Sequence, residues 1–365
     1  MLKPRVASTT LSYGSIARGA HYSKHAPKTN LLARKYSASS SDTPKPTSTL
    51  RRSWLYVPAS SDKMLRKSLT SDSDVIIYDL EDSVPPSKAD KINARNRLAR
   101  FIQSTPAAEL PQHERLSVRV NSVTTPFYSE DISQVVQLHP IHTLVLPKIH
   151  SAKDLDTISS AIFAALWNGI SGRDPNMPIS LVASIESAKA LYNIGEIASW
   201  KSTFGPIPGG QLTALLFAAE DYCADTSIVR TPSRQELLFT RSQIAITAKA
   251  FGLDAIDMVC VNYRDTEYLK DECADGRRLG YTGKQAIHPG QVNLILSTFV
   301  PSQYEILRAA RILHQMERAY GEERGAFGLA TEDGGKEMID APMLKQAENT
   351  IRLAQAANLE IPKVD

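Results

Sequence analysis

Short runs of β-branched and apolar residues recur along the chain from residue 51 onward, and longer amphipathic segments separate them. This alternation is typical of βα units built around a parallel sheet. The pattern predicts eight strands, at residues 54–59, 75–80, 116–121, 143–148, 179–185, 214–219, 255–262 and 283–287. Eight strands that alternate with helices over roughly 250 residues match the size and order of a (β/α)8 barrel, so we predict an α/β TIM barrel.

Helix-start signals agree with this pattern. Ser87 and Ser151 are each followed three residues later by an aspartate, which predicts helices at 88–103 and 152–167, and a third helix is predicted at 234–251. A doubly wound open sheet remains the structural alternative, because periodicity does not distinguish an open parallel sheet from a closed one. The glycines at 205–210 and 280–284 do not form a dinucleotide fingerprint or a phosphate loop.

The C-terminal region follows a different pattern. We assign residues 51–320 to the barrel domain, whose last helix is predicted at 302–320, and residues 321–365 to a C-terminal arm. The arm contains a glycine-rich stretch, then Asp340, then a helix predicted at 343–357. A flexible arm that carries an acid suits a lid or a segment that reaches a neighbouring subunit.

The first 50 residues differ from the rest in charge. They contain eight lysines and arginines and one acid, Asp42, and they lack an apolar signal core. This composition predicts a mitochondrial transit peptide at 1–36, cleaved near Ser37, and a flexible linker at 37–50, which would place the protein in the mitochondrial matrix. A disordered basic tail is the alternative.

The remainder of the chain excludes several classes of function. It has 34 basic and 38 acidic residues, a net charge of −4, which is not the footprint of a nucleic-acid-binding protein. No run of about 18 apolar residues predicts a membrane span. Three cysteines without clustering indicate neither a disulfide framework nor a structural zinc site, and fit a reducing compartment.

Charged residues follow several of the predicted strands, at the carboxyl ends where TIM barrels place their chemistry. They are Asp79, Glu81, Asp82, Arg119, Lys148, Glu186, Glu220 and Asp221. Grouped carboxylates without histidine or cysteine favour Mg²⁺, which takes one or two protein carboxylates and fills its other positions with water and substrate oxygens. Glu186 and Asp221, on adjacent strands, are the candidate ligands. The alternative is that each acid stabilises the N-terminus of the next helix.

A second candidate feature is basic. Lys63 and Lys67 are four residues apart, so they lie on one face of the predicted helix after the first strand, and neither has an acid four residues away. Unpaired lysines beside the mouth of a barrel suit an anionic ligand such as the phosphates of coenzyme A. A solvated helix face is the alternative.

A series of motifs resembles a known family. In chain order they are RRSWLYVP at 51–58, YDLEDSV at 78–84, VRVN at 118–121, LPK at 146–148, IESA at 185–188, AEDY at 219–222, AKAFG at 248–252, GKQAIHP at 283–289 and IDAP at 339–342. Together they resemble the citrate lyase beta subunit-like proteins of the HpcH/HpaI aldolase superfamily. The resemblance implies a trimer of TIM barrels that uses Mg²⁺ to break or form a carbon–carbon bond between a CoA thioester and a small 2-oxo acid.

The resemblance also implies residue roles. Glu186 and Asp221 would bind the metal, and Arg119 would contact the oxo-acid or enolate oxygens. Tyr56, Lys63, Lys67 and Pro289 would line the substrate and CoA site, and Asp340 would reach a neighbouring subunit as acid and base. One departure is Ala218-Ala219, where family members often have Gly-Gly. The added methyl groups would narrow the mouth of the barrel, which affects the acyl group that the site prefers more than the metal site.

The expected reaction is cleavage of a 3-hydroxyacyl-CoA, of the citramalyl-CoA or malyl-CoA type, to acetyl-CoA and a 2-oxo acid such as pyruvate, with a synthase-like reverse reaction. One alternative is a Schiff-base aldolase using Lys148, which would need a depressed lysine pKa. Another is a non-catalytic or acyl-carrier-linked subunit of the citrate lyase beta type. His288 precedes a proline and is interpreted as holding a loop.

Overall fold

The computed structural model describes residues 50–168, 177–321, 326–330 and 335–364. Eight parallel strands form a closed barrel in chain order, and the last strand pairs with the first. The strands are β1 (Ser53–Pro58), β2 (Val75–Asp79), β3 (Leu116–Arg119), β4 (Thr143–Leu146), β5 (Ser180–Ile185), β6 (Gln211–Phe217), β7 (Asp254–Asp257) and β8 (Gly283–Ala286). The predicted TIM barrel is confirmed, and the open sheet is excluded.

Helices follow the barrel strands, and two more belong to the C-terminal region. They are α1 (Asp62–Ser68), α2 (Lys88–Ser104), α3 (Tyr128–Val135), α4 (Ala152–Asn168), α5 (Ala188–Tyr192), α6 (Ile194–Ser199), α7 (Pro206–Gly209), α8 (Ala219–Thr226), α9 (Leu238–Ala250), α10 (Thr266–Leu279), α11 (Val292–Thr298), α12 (Gln303–Gly321) and α13 (Ala341–Ala356). The predicted capping serine at 87 is present, since its side chain accepts a hydrogen bond from the Asp90 backbone. No described helix has the length and apolarity needed to cross a membrane.

Alternation along each strand divides the core into two layers. Apolar side chains that point into the barrel form one cluster, made of Trp54, Val75, Ile77, Val145, Val182, Ala214, Leu216 and Ile256. Their neighbours on the same strands, such as Ile76 and Leu215, pack outward against the helices. Because side chains two residues apart share a face, the next inward positions beyond this cluster lie at the carboxyl-end mouth.

Seven of the eight strands end one to five residues earlier than the pattern predicts, and for β3 and β7 the contacts show the same reason. β3 ends at Arg119 instead of residue 121, because the Asn121 amide donates to the Asp131 side chain. β7 ends at Asp257 instead of residue 262, because side chains of Asp257 and Lys284 hydrogen-bond to the Met258 backbone. Beyond these points, side chains take the place of the neighbouring strand as hydrogen-bond partners of the backbone. The apolar run in the sequence therefore extends further than the strand.

The C-terminal region contains a structure that the sequence pattern did not predict. β9 (Phe327–Ala330) and β10 (Lys336–Ile339) form an antiparallel hairpin between α12 and α13. Apolar residues of these four elements form their own cluster, including Ile312, Met316 and Ile339. Each strand is only four residues long and lies within a segment whose glycines predict a loop. The predicted transit peptide and all of the linker but residue 50 lie outside the described residues.

Candidate active site

One cavity of about 1010 Å³ opens at the carboxyl ends of the barrel strands. Of the eight residues to which the family resemblance gives roles, seven line it, namely Tyr56, Lys63, Lys67, Arg119, Glu186, Asp221 and Pro289. The cavity also runs past residues of α1 and α11, on the flank of β1. It therefore joins a group of charged side chains above the barrel interior to a groove between two helices.

The two candidate metal ligands lie next to each other in chain topology. Glu186 directly follows β5 and is buried, and Asp221 lies in the first turn of α8, directly after β6. Burial, together with the charges of Glu81 and Asp221, raises the pKa of Glu186 to about 7, against a hydrogen bond from Ser184 and the charge of Lys148. A buried carboxylate that is destabilised by neighbouring carboxylates suits a bound cation.

The donor set fits Mg²⁺ and not a site built wholly from protein. Within the described ranges, no three or more His, Cys, Asp or Glu side chains form a group that could hold a metal ion. Two carboxylates with open cavity beside them match the way Mg²⁺ is bound, with water and substrate oxygens completing its coordination. Glu186 and Asp221 would hold the ion from adjacent strands.

Arg119 is fixed by carboxylates on the neighbouring strand. Its Nε and Nη2 each donate a hydrogen bond of 2.7 Å to the two oxygens of Asp79, and its Nη1 donates to Asp82 and forms an ion pair with Glu81 at 3.0 Å. Burial raises the pKa of Asp79, but the charge and hydrogen bonds of Arg119 outweigh burial and hold this pKa below its usual value. The guanidinium is therefore positioned before any ligand arrives.

Tyr56 forms the floor of the cavity. Its side chain is half-buried and packs on the apolar interior of the barrel. The Arg119 guanidinium carbon lies 4.8 Å from the centroid of its ring, within the range of a cation–π contact. Ala218, one of the two alanines noted in the sequence, packs on the same interior cluster and lines the cavity.

Lys148 is held by an ion pair. Its Nζ lies 2.9 Å from Glu81 Oε1, and its backbone has a φ of 54°, a left-handed conformation that is uncommon for a residue with a side chain. Burial lowers the pKa of Lys148, but the hydrogen bond and charge of Glu81 outweigh it and the pKa is raised. A Schiff-base lysine needs the opposite shift, so the environment disfavours that alternative.

The basic residues of α1 lie at the other part of the cavity. Ser61 caps this helix, and Lys63 and Lys67 are exposed one turn apart, with no ion pair to any described residue. Pro289 faces the same space. His288 Nδ1 accepts a hydrogen bond from the Gly290 amide and caps the turn that contains Pro289, which agrees with its interpretation as a loop-holding residue.

Asp340 lies elsewhere. It caps α13, where its Oδ1 accepts a hydrogen bond of 3.4 Å from the Met343 amide, and its side chain is exposed. It does not line the cavity formed by the described residues of its own chain. The expected supply of Asp340 to a neighbouring subunit stays a prediction.

Sequence reasoning missed several polar residues of the cavity, and two of them, Ser184 and Gln285, lie on barrel strands. Both are buried on the inward face of a strand. Ser184 is two residues before Glu186, so strand alternation would have placed the two side chains on one face. No neighbouring residue in the sequence indicates what Gln285 contacts, because its hydrogen-bond partners lie on three other strands, β1, β6 and β7.

Comparison with known proteins agrees with this geometry. Residues 52–289 match the family model described as HpcH/HpaI aldolase/citrate lyase. The mitochondrial citramalyl-CoA lyase of Homo sapiens is 33% identical over 305 residues, which cover 83% of this chain and 85% of that protein. The citrate lyase subunit beta of Leuconostoc mesenteroides subsp. cremoris is 31% identical over 85% of this chain and 95% of that protein.

A solved structure is similar over the same region. The crystal structure of the protein CitE from Mycobacterium tuberculosis, in complex with magnesium, acetoacetate and coenzyme A, matches with a TM-score of 0.63 and 29% sequence identity. The match covers 84% of this chain and 98% of that chain. The similarity therefore spans the barrel and reaches beyond it.

Proposed function

Because the chain belongs to the HpcH/HpaI aldolase/citrate lyase family and is a carbon–carbon lyase acting on CoA esters, we propose that it cleaves a 3-hydroxyacyl-CoA to acetyl-CoA and a 2-oxo acid. The proposed substrate is citramalyl-CoA, with malyl-CoA as the related candidate, and the proposed oxo-acid product is pyruvate. The observation that carries this proposal is the shared cavity, which joins Arg119 and two carboxylates to the unpaired lysines of α1.

The two parts of the cavity divide the substrate between them. Lys63 and Lys67 would bind the phosphates of CoA, since exposed ammonium groups without ion pairs in the described structure are free to pair with an anion. The acyl end would then lie over Tyr56, between Arg119 and Glu186. The fixed side chains of this region would orient the acyl chain for reaction.

Glu186 and Asp221 would hold the Mg²⁺ ion, as magnesium is present in the related CitE structure. When bound, the ion supplies Lewis-acid polarisation of the substrate hydroxyl and carboxylate oxygens. Arg119 stabilises the negative charge that develops on oxygen as the bond breaks, because its donors are already oriented by Asp79.

Cleavage breaks the bond between C2 and C3 of the acyl chain. The hydroxyl releases its proton to solvent and becomes the carbonyl of the oxo acid, and the electron pair of the broken bond stays on the acetyl-CoA fragment as an enolate. A protonated Asp340 from a neighbouring chain, in a trimer, delivers a proton to that enolate carbon. In reverse, ionised Asp340 removes a proton from acetyl-CoA, and the enolate adds to pyruvate or glyoxylate, which gives a synthase-like side reaction.

The second candidate is a subunit of the citrate lyase beta type that acts on an acyl carrier or has no catalysis of its own. The similarity to the Leuconostoc subunit favours it.

The cellular site that we propose is the mitochondrial matrix, which the basic composition of residues 1–36 and the mitochondrial relatives support.

The test measures pyruvate release from citramalyl-CoA by the chain beginning at Ser37, with Mg²⁺ and with EDTA. Glu186→Gln is the test variant, and Glu196→Gln is its matched control, because Glu196 is an exposed glutamate of α6 outside the cavity. We expect turnover that EDTA and Glu186→Gln abolish and Glu196→Gln retains. A folded chain that binds CoA without releasing pyruvate or glyoxylate from either thioester would contradict the proposed lyase and favour the subunit.

A further inference from the structure

Gln285 lies on β8 beneath the cavity and is almost fully buried, at 2% exposure. Its amide nitrogen Nε2 donates hydrogen bonds to the backbone oxygens of Phe217 at 2.8 Å and Asp257 at 3.0 Å. Both amide hydrogens are therefore used on the ends of β6 and β7. The opposite orientation of the amide would place its oxygen against two carbonyl oxygens, so the chemistry excludes it.

The remaining atom of this amide faces Tyr56. Gln285 Oε1 lies 3.0 Å from the Tyr56 hydroxyl oxygen. An amide oxygen only accepts, so the tyrosine must donate its hydroxyl proton to Gln285. The orientation of the amide, fixed by two backbone oxygens, thus decides the direction of the hydrogen bond at the cavity floor.

The hydrogen bond from Tyr56 to Gln285 has two consequences for the cavity. The Tyr56 hydroxyl has no second proton to give, so toward a ligand its oxygen offers lone pairs only. The ring is also held in place from below, while Arg119 lies over its face at 4.8 Å. Burial raises the pKa of Tyr56, so the hydroxyl keeps this proton.

We infer that Gln285 is a positioning residue, which takes the hydroxyl proton of Tyr56 in a hydrogen bond and thereby holds the ring that supports Arg119 at the oxo-acid end of the cavity. The inference rests on the proposed function, since it assumes that Arg119 contacts the oxo acid. Gln285 acts through Tyr56 and touches no reacting atom.

A double-mutant cycle tests this inference. The variants are Gln285→Met, Tyr56→Phe and the double variant, and the readouts are the Kd of pyruvate in the presence of Mg²⁺ and kcat/KM for the thioester. We expect Gln285→Met to weaken pyruvate binding about tenfold when Tyr56 is present, as for the loss of one oriented hydrogen bond. In the Tyr56→Phe background the same substitution should change Kd by less than about twofold, because the hydroxyl through which Gln285 acts is gone.

Gln291 provides a matched control. It is a buried glutamine whose amide bonds only to backbone groups, of Ile287, His288 and Cys260. Gln291→Met removes a similar set of hydrogen bonds without touching Tyr56. We expect the factor by which it changes Kd to be the same whether Tyr56 is intact or replaced by phenylalanine.

A second variant covers the case in which Gln285→Met does not fold. Gln285→Ala removes the same acceptor with a smaller side chain that brings no oxygen against the two carbonyls, and its effect on Kd should likewise fall below about twofold in the Tyr56→Phe background. For either variant, equal factors in the two backgrounds overturn the inference, because the effect then does not pass through Tyr56. Absence of pyruvate binding by the unmodified chain contradicts the proposed function instead.

Discussion

The two oxygens of Asp79 pair with two nitrogens of Arg119, each at 2.7 Å, across the neighbouring strands β2 and β3. A planar guanidinium matches a carboxylate in this way, and a lysine does not. The relationship fixes both the position and the angle of the cation at the mouth of the barrel. A substitution that keeps only the positive charge of Arg119, such as lysine, would therefore not reproduce this geometry.

We therefore expect Arg119→Lys to lower kcat by about 10²–10³-fold, the usual loss when an oriented donor to a developing charge is removed. Steady-state kinetics on the thioester would measure it. Arg97→Lys, at a partly exposed arginine of α2 that pairs with Asp62, is the control and should keep full activity. A tenfold loss or less in Arg119→Lys would show that charge, not geometry, is what the site needs.

The lysines of α1 predict a salt-dependent affinity for CoA. Lys63→Ala and Lys67→Ala should each raise the Kd of CoA roughly tenfold at low salt, as expected for one charge-assisted contact. Calorimetric titrations at several salt concentrations would measure this, and the difference from the unmodified chain should shrink as salt screens the contact. Arg66→Ala removes a cation from the same helix outside the cavity, so it should leave Kd unchanged.

Asp340 gives a prediction about assembly. If a neighbouring chain supplies it, Asp340→Asn and Glu186→Gln variants are each inactive, but co-expressed chains form some sites with both residues intact. Random mixing should restore about a quarter of the normal activity. Purified mixed assemblies would be assayed for pyruvate release. No recovery, from assemblies shown to contain both variants, would mean that Asp340 serves its own chain or no site at all.

A buried ion pair outside the cavity predicts acid sensitivity. Glu272 and Lys284 are both fully buried and lie 2.9 Å apart, and Arg230 pairs with the other glutamate oxygen at 2.7 Å. Burial raises the pKa of Glu272, but Lys284 and Arg230 outweigh it and hold the pKa below its usual 4.5. A depressed pKa stabilises the fold fully above the unfolded value, so this contribution is lost as the pH falls below about 4.5 through the folded value.

Accordingly, Glu272→Gln should lower the free energy of unfolding at pH 7 by about 3–5 kcal/mol, because it leaves a buried lysine without its counter-ion. It should also flatten the fall of stability below pH ~4.5. Urea unfolding at a series of pH values would measure both effects. Glu267→Gln, at an exposed glutamate in the first turn of α10, should change neither.

Gly283 predicts a steric effect at the closure of the barrel. A Cβ built at this position would lie 2.7 Å from the backbone oxygen of Arg52 and closer still to that of Arg51. Backbone atoms cannot move aside without opening the pairing of β8 with β1. Gly283→Ala should therefore destabilise the fold by at least about 1–3 kcal/mol, measured by urea unfolding. Gly252→Ala is the control. A Cβ there meets no atom within 4 Å, but the φ of Gly252 is +69°, so this variant measures the cost of a strained backbone without a steric clash.

The eight strands could be predicted because each leaves a local signal, a short apolar run between helical segments. The charged side chains after those strands could also be grouped, since parallel strands bring their carboxyl ends together. The ends of β3 and β7 could not, because Asp131 and Lys284 reach them from other elements. The hairpin of β9 and β10 was missed because its strands are only four residues long and are set among the glycines at 321, 325, 328, 334 and 335.

The contacts within the site were beyond the sequence for a related reason. The pair of Arg119 with Asp79 and the bond of Tyr56 to Gln285 each join residues on different strands, 40 and 229 positions apart. A sequence pattern records which residues point into the barrel but not which atoms meet there. The left-handed backbone of Lys148 is a further example, since lysine itself favours no such conformation.

Asp340 is exposed and lies outside the cavity of its own chain, so the proposal that a neighbouring chain supplies it would tie activity to assembly. A chain that obtains its acid from a neighbour has a specific activity that depends on protein concentration, and dilution below the assembly constant silences it reversibly. A solitary chain would still bind CoA, yet it would lack the acid that protonates the enolate in cleavage and the base that forms it from acetyl-CoA in reverse. On this proposal, assembly would be the step that makes the site competent for the reaction.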